Sequence, residues 1–178
     1  KMIEENTKLI AIEDIEKAQN QIKDTDFDLF IAVDLSDLDR MAVCREEFEK
    51  TKNTICIDHH ISNTKYAKKN HVVANASSAC EVICDMLDEE KISKAAATAL
   101  YTGMIHDSGV FKYESTSRHT MNLAGMLMEK GVEFSTIIDE GFYEKSYVQN
   151  QILGRALLES ILVLDGKCIF SAISKAEM

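Results

Sequence analysis

Residues Thr54–His60 read TICIDHH, a short apolar run that stops on an acid and two consecutive histidines. A buried strand has no structural use for such an ending, so the run predicts a strand whose C-terminal end carries chemistry. Earlier in the chain, Phe27–Asp34 (FDLFIAVD) has the same shape and closes on Asp34. Two apolar strands that each deliver a carboxylate at the C-terminal end predict an open α/β sheet, since such sheets bind their ligands there. Consecutive histidines on an extended segment point to opposite faces, so one imidazole is expected to face a metal and the next a substrate. A histidine pair alone reads more simply as a solvated turn; the strand behind it and Asp58 before it weigh against that.

Between the two strands, Ser36 has the chemistry of an N-cap and Asp37 and Asp39 fall in the first turn. Leu38, Met41, Ala42 and Phe48 then form the apolar stripe of a helix predicted to run to about Lys52. Strand, helix and strand make a βαβ unit, with parallel strands and a right-handed crossover. Beyond the histidines a polar loop leads to a short strand at His71–Ala74. Ser78 with Glu81 predicts a capping box opening a helix through Val82, Ile83, Met86 and Leu87. Ser93 caps a further helix, in which Ala96, Ala97, Leu100, Tyr101, Met104 and Ile105 repeat at helical spacing before His106-Asp107-Ser108-Gly109. A helix begins near Arg118 and ends at Gly131, Ser135 caps a shorter one, and another spans Val148 to about Ser160. ILVL and KCIF around Asp165-Gly166 predict a hairpin. Residues 1–23 read as helical, with Ile12, Ile15, Ala18 and Ile22 on one stripe. The chain opens on Lys1 in mid-pattern, which is the expectation for a piece of a longer protein.

The 178 residues suffice for one domain with a sizeable core, and 46% hydrophobic with 28% charged residues describes a globular chain. No apolar run is long enough to span a bilayer and no signal-peptide pattern opens the chain, so a cytoplasmic protein with no membrane partner is expected. The five cysteines (Cys44, Cys56, Cys80, Cys84, Cys168) contain no CxxC and mostly fall on apolar faces, as reduced core thiols do. Cys80 and Cys84 share a helix face, but no second pair is spaced to complete a zinc site with them. A net charge of −10 repels long polyanions and argues against a duplex-binding surface. The chain contains no proline, for which there is no functional account.

Asp34, Asp58, His59, His60 and Asp107 all stand at the ends of apolar elements, so folding is expected to gather them at one sheet edge. Each has a plain structural use alone, Asp34 as a helix-capping acid and Asp107 as a turn residue. Carboxylates crowded together repel unless a cation sits among them. Mixed carboxylate and imidazole donors suit manganese, iron, zinc or magnesium, and paired divalent ions about 4 Å apart are a recurrent device for in-line attack on phosphorus.

Four stretches together resemble the DHH phosphoesterase superfamily, within it the bacterial branch of oligoribonuclease and 3′-phosphoadenosine-5′-phosphate phosphatase proteins: VDLSDLDR (Val33–Arg40), IDHH (Ile57–His60), NASSACE (Asn75–Glu81) and GMIHDSGVFKY (Gly103–Tyr113). The resemblance implies an α/β fold with a doubly wound, mainly parallel sheet and flanking helices. It implies that Asp34 bridges two metal ions, Mn2+ or Mg2+, that His59 and Asp107 are further ligands, that His60 contacts the scissile phosphate, and that Asp58 orients a neighbouring histidine. His106 stands where many relatives have threonine. Residues 1–160 would form the catalytic domain without its first H-x-x-x-D-x-D-type motif, and residues 161–178 a hairpin leading toward a C-terminal substrate domain. The implied partners are short RNA oligonucleotides or small phosphorylated nucleotides, and the architecture admits a homodimer.

Other readings share parts of this pattern. A manganese-dependent inorganic pyrophosphatase, a single-strand exonuclease or a phosphodiesterase of cyclic or linear dinucleotides would use the same acids and histidines. A non-catalytic metal- or nucleotide-binding module would keep the scaffold without turnover. Asp107-Ser108-Gly109 matches the D-[ST]-G signature of aspartic proteases, but that signature should follow a strand, and here an alanine-rich helix precedes it.

Overall fold

The structure, a computed structural model, describes residues 26–174. The helical expectation for residues 1–23 lies outside the described residues. Three strands, β1 (Phe30–Val33), β2 (Thr54–Asp58) and β3 (Lys69–Val72), form a parallel sheet in the order β1-β2-β3. Phe30 pairs with Thr54 and Val33 with Ile57, while Ile57 pairs with His71 and Asp58 with Val72. The register brings Asp34 and Asp58, one residue beyond β1 and the last of β2, to the same sheet edge. The third strand begins two residues earlier than the apolar run His71–Ala74 predicts, because its ladder partners are Ile55 to Asp58.

The crossover from β1 to β2 departs from a continuous helix. Asp37, not Ser36, is the N-cap, and its side chain accepts from the Asp39 N–H only two residues on (3.0 Å), which winds a 3-10 segment over Leu38–Cys44. Ala42 breaks that segment at φ 45°, and a short α1 (Arg45–Lys50) follows. Ser36 is instead buried, its carbonyl accepting from the Thr64 N–H at 2.9 Å. Met41 and Phe48 still reach the core with Ala32, Cys56 and Ala67, as the apolar spacing requires.

Ser78 caps α2 (Ala79–Met86), Ser93 caps α3 (Lys94–Asp107) and Ser117 caps α4 (Arg118–Glu129), each hydroxyl accepting from the N–H three residues on. α2 packs on β2, and α2, α3 and α4 pack on one another. Ala97, Met104, Ile105 and Leu127 are fully shielded between them. The chain is α/β, a parallel sheet flanked by helices.

The chain divides into two compact units, Lys1–Phe134 and Ser135–Met178. Ser135 lies inside α5 (Phe134–Ile138), which runs into a π-helical turn over Asp139–Tyr143, and it is not that helix's cap. In the second unit α6 (Tyr147–Leu158) opens on a capping box between Ser146 and Gln149. β4 (Ile161–Val163) and β5 (Cys168–Phe170) pair antiparallel. Asp165 and Gly166 carry φ 55° and 78° and Lys167 N–H returns to the Leu164 carbonyl, which is the left-handed turn an Asp-Gly pair favours. Among the described residues no helix is long and apolar enough to cross a membrane.

Candidate metal centre

Asp34 leaves β1 in the left-handed region, φ 59°, with its N–H still bonded to the Ile57 carbonyl at 3.0 Å. A short polar side chain tolerates that conformation, which turns the carboxylate toward the end of β2. There the two histidines stand beyond the last strand residue, so strand alternation no longer governs them. Their rings lie 4.7 Å apart between centroids, tilted by 55°, and do not point to opposite faces. Asp34 Oδ1 is 3.4 Å from His59 Nε2 and 3.8 Å from His60 Nδ1. Asp107, the last residue of α3, places Oδ2 2.9 Å from His59 Nε2. Asp34, Asp58, His59, His60 and Asp107 are therefore brought together by three different elements.

The environment of His59 says what belongs among them. Its Nδ1 lies 3.2 Å from the Ala76 carbonyl, an acceptor only, so that nitrogen carries the proton. Nε2 then presents its lone pair to the Asp34 and Asp107 carboxylates, shielded from solvent and without a hydrogen bond. The short approach to Asp107 lacks hydrogen-bond geometry, so the arrangement is repulsive unless a cation lies between the three donors. Asp34, His59 and His60 each offer a ligand atom within 4.8 Å of the others. Burial pushes the Asp107 carboxyl above its usual range, and the Asp34 charge adds to the rise. A divalent ion would relieve these strains together, so the residues present fit one.

His60 is held differently. Asp58 is fully buried, and burial alone would raise its carboxyl, but bonds from His60, Asn63 and the His59 backbone outweigh that and hold it below the usual range. It is thus an ionised acceptor, and His60 Nδ1–H donates to its Oδ1 at 2.7 Å. This leaves Nε2 of His60, on a side chain 36% exposed, as the face the ring offers outward.

Asn63 belongs to the site without any sequence signal to mark it, and Cys80, set aside as a zinc ligand, lies beside the site. Asn63, in the polar loop, donates through Nδ2 to Asp58 Oδ2 (2.6 Å) and to the Leu35 carbonyl (3.1 Å), tying the acid to the end of β1. Cys80 sits close enough to feel both carboxylates: burial pushes its thiol up, and Asp34 and Asp107 push it further, so it remains a thiol. Burial likewise pushes Cys84 to about 11. Neither joins a three-ligand group among the described residues. After Asp107 the chain runs through three left-handed residues, Gly109, Val110 and Phe111 at φ 59°, 58° and 61°. For a β-branched valine this is strained backbone, of the kind that collects at functional sites. Asp107 itself ends a helix and not a strand, unlike a protease D-[ST]-G.

Residues 2–104 match the DHH family, N-terminal domain. The chain is 28% identical over 120 residues to a probable bifunctional oligoribonuclease and PAP phosphatase NrnA of Streptococcus mutans, covering 66% of this chain and 39% of that protein. It is 34% identical over 120 residues to the bifunctional oligoribonuclease and PAP phosphatase NrnA of Mycoplasma pneumoniae, covering 63% of this chain and 36% of that protein. The crystal structure of an exopolyphosphatase-related protein from Bacteroides fragilis superposes with a TM-score of 0.80 at 25% identity, over 95% of this chain and 51% of that one. The chain thus spans under two-fifths of the length of these two curated relatives. With more than half of its residues matched to the family's N-terminal domain, and with the aspartates and histidines of that resemblance gathered at one sheet edge, the chain belongs to the DHH family.

Proposed function

We propose that this chain is the DHH domain of a cytoplasmic, metal-dependent phosphoesterase that hydrolyses short oligoribonucleotides, 3′-phosphoadenosine 5′-phosphate, or both. The observation that carries it is the buried lone pair of His59 Nε2 facing the Asp34 and Asp107 carboxylates, a donor set that calls for a divalent cation. The activities named for the NrnA relatives supply the substrate class. The net charge of −10 favours small phosphorylated ligands over long strands.

Asp34, His59 and Asp107 are the residues that would hold manganese or magnesium. Such ions supply Lewis acidity and a water acidified to the point of attack on phosphorus. Asp34 would be the ligand that two ions share, since its carboxylate has a second oxygen beside the Oδ1 that lies 3.4 Å from His59 Nε2. His60, fixed by Asp58 through Nδ1–H, turns Nε2 outward, where as the imidazolium its Nε2–H would donate to a phosphoryl oxygen and stabilise the charge that builds there. Asp58 orients that ring and does not itself meet the substrate. We assign residues 161–178, which include the β4–β5 hairpin, to the lead into a substrate-holding domain.

The test is a manganese-dependent assay of dinucleotide and 3′-phosphoadenosine 5′-phosphate hydrolysis on wild type, Asp34→Ala and His60→Ala, with metal binding measured beside it. Asp34→Ala is expected to lose metal and activity together. His60→Ala keeps metal and loses turnover, on the order of 100-fold or more if it acts as a charge-stabilising donor. Full activity in either variant contradicts the role given to that residue.

A further inference from the structure

Glu81 is 4% exposed, and none of its hydrogen-bond partners is a cation. Its Oε2 accepts from the Ser77 N–H (3.0 Å), the Ser77 hydroxyl (2.5 Å) and the Thr120 hydroxyl of α4 (2.8 Å). Placing a carboxyl group in the interior is costly unless its bonds accomplish something. The capping box that Ser78 and Glu81 predict is only half formed. Ser78 caps Glu81, but the Glu81 side chain reaches past Ser78 to Ser77.

That one-residue displacement matters because the Ser77 N–H and the Ala76 carbonyl belong to the same peptide unit. A peptide is planar, and its N–H and C=O point in opposite directions when trans. One side of this plane donates to Glu81 Oε2, and the other accepts the Nδ1–H of His59 at 3.2 Å. The unit is further anchored to the sheet, since Ala76 N–H donates to the Val73 carbonyl and Val73 N–H to the Asp58 carbonyl, both at 3.0 Å.

We propose that Glu81 is a positioning residue for the metal centre, acting on His59 through the Ala76–Ser77 peptide. Metal-bound histidines commonly donate their second ring N–H to a carboxylate or a carbonyl, which fixes the tautomer and raises ligand basicity. Here a carboxylate and a carbonyl are placed in series. A hydrogen bond drawn from the peptide N–H polarises the peptide and makes its carbonyl a stronger acceptor. The stronger acceptor keeps the proton on Nδ1 of His59 and leaves Nε2 to face Asp34 and Asp107. The inference rests on the metal-site reading above and concerns a residue that touches neither metal nor substrate.

Two readouts test it without reference to turnover: the Mn2+ dissociation constant, and the protonation of His59 in the metal-free chain at alkaline pH, followed by long-range 1H–15N NMR of the imidazole. In wild type the neutral ring carries its proton on Nδ1. Glu81→Gln, nearly isosteric, is expected to shift protonation toward Nε2 and weaken Mn2+ binding by about tenfold. Glu81→Ala goes further toward about 100-fold. Thr120→Val, which removes a hydrogen bond to the same oxygen but leaves the peptide contact, lowers the unfolding midpoint and leaves both readouts within about twofold, below the range of the relay variants. A Glu81→Gln protein that melts lower yet keeps wild-type protonation and Mn2+ affinity would overturn the proposal, as would a Thr120→Val protein that shifts His59 as far as Glu81→Gln does. If wild type binds Mn2+ but hydrolyses neither nucleotide, the substrate assignment fails while the His59 readouts still decide the role of Glu81.

Discussion

Asn63 shows how much of the site hangs on single side chains. One amide nitrogen serves Asp58 Oδ2 and the Leu35 carbonyl, while its Oδ1 accepts from the Lys65 N–H at 2.7 Å. Asn63→Ala leaves a fully buried carboxylate one donor short, and the expected loss is about 2 kcal/mol in urea unfolding. An unchanged midpoint would mean that water replaces the amide. The acids themselves were legible in the sequence, because Asp34 and Asp58 interrupt apolar runs where a strand has no use for charge. Asn63 was not, since an asparagine in a polar loop looks like any other. The Ala76–Ser77 peptide was less legible still, because every residue but proline offers the same backbone donor and acceptor.

Helix starts were readable from their caps, as Ser78, Ser93 and Ser117 show, since a hydroxyl that satisfies an orphan N–H is local chemistry. The break at Ala42 was not readable, because Met41 and Phe48 keep helical spacing on either side of it. Packing between elements also hides in small residues. A Cβ at Gly103 of α3 would fall 2.2 Å from Cys80 Sγ and 3.2 Å from its Cβ on α2. Gly103→Ala is therefore expected to cost about 1–3 kcal/mol by overpacking. Adding Cys80→Ala, which removes the offending sulfur, should return much of it; additive losses in the double variant would show that the two helices are not in such close contact. α2 and α4 are also joined by His119, whose Nε2 lies 2.8 Å from both Asp85 oxygens. The Asp85 hydrogen bond raises the His119 pKa, so the pair stabilises the fold fully below about pH 6.5, the unfolded value, and the contribution fades as pH rises through the higher folded value. Both groups are about half exposed and screened, so the expected effect is small, about 0.5 kcal/mol. Unfolding midpoints of wild type and Asp85→Asn should differ at pH 6 and converge near pH 9; a gap that grows with pH would reverse the sign.

At the scale of the whole molecule, the sequence carries thirty acidic against twenty basic residues, and under the proposed function the site would receive a phosphate. Metal would then supply the local attraction, and the net negative charge would oppose the approach of a strand. Raising ionic strength from about 20 to about 150 mM shortens the reach of that repulsion, so KM for a trinucleotide should fall as salt rises. A basic, strand-gripping nuclease behaves in the opposite way, and a rising KM would show that substrate meets a positive surface. The α/β architecture was legible because two apolar runs with a helical stripe between them admit few arrangements. The division at Phe134 was less so, since no proline, glycine-rich or low-complexity linker marks it.

The cation seat between Asp34, His59 and Asp107 is the claim on which the functional reading stands, and Mn2+ titration of wild type and Asp34→Ala by calorimetry tests it most directly. Wild type should bind Mn2+, and removing the Asp34 carboxylate should weaken binding by far more than the 10–100-fold typical of losing an outer partner. Equal affinity in the two proteins would contradict the account, because the lone pair of His59 would then be facing those carboxylates for some other reason.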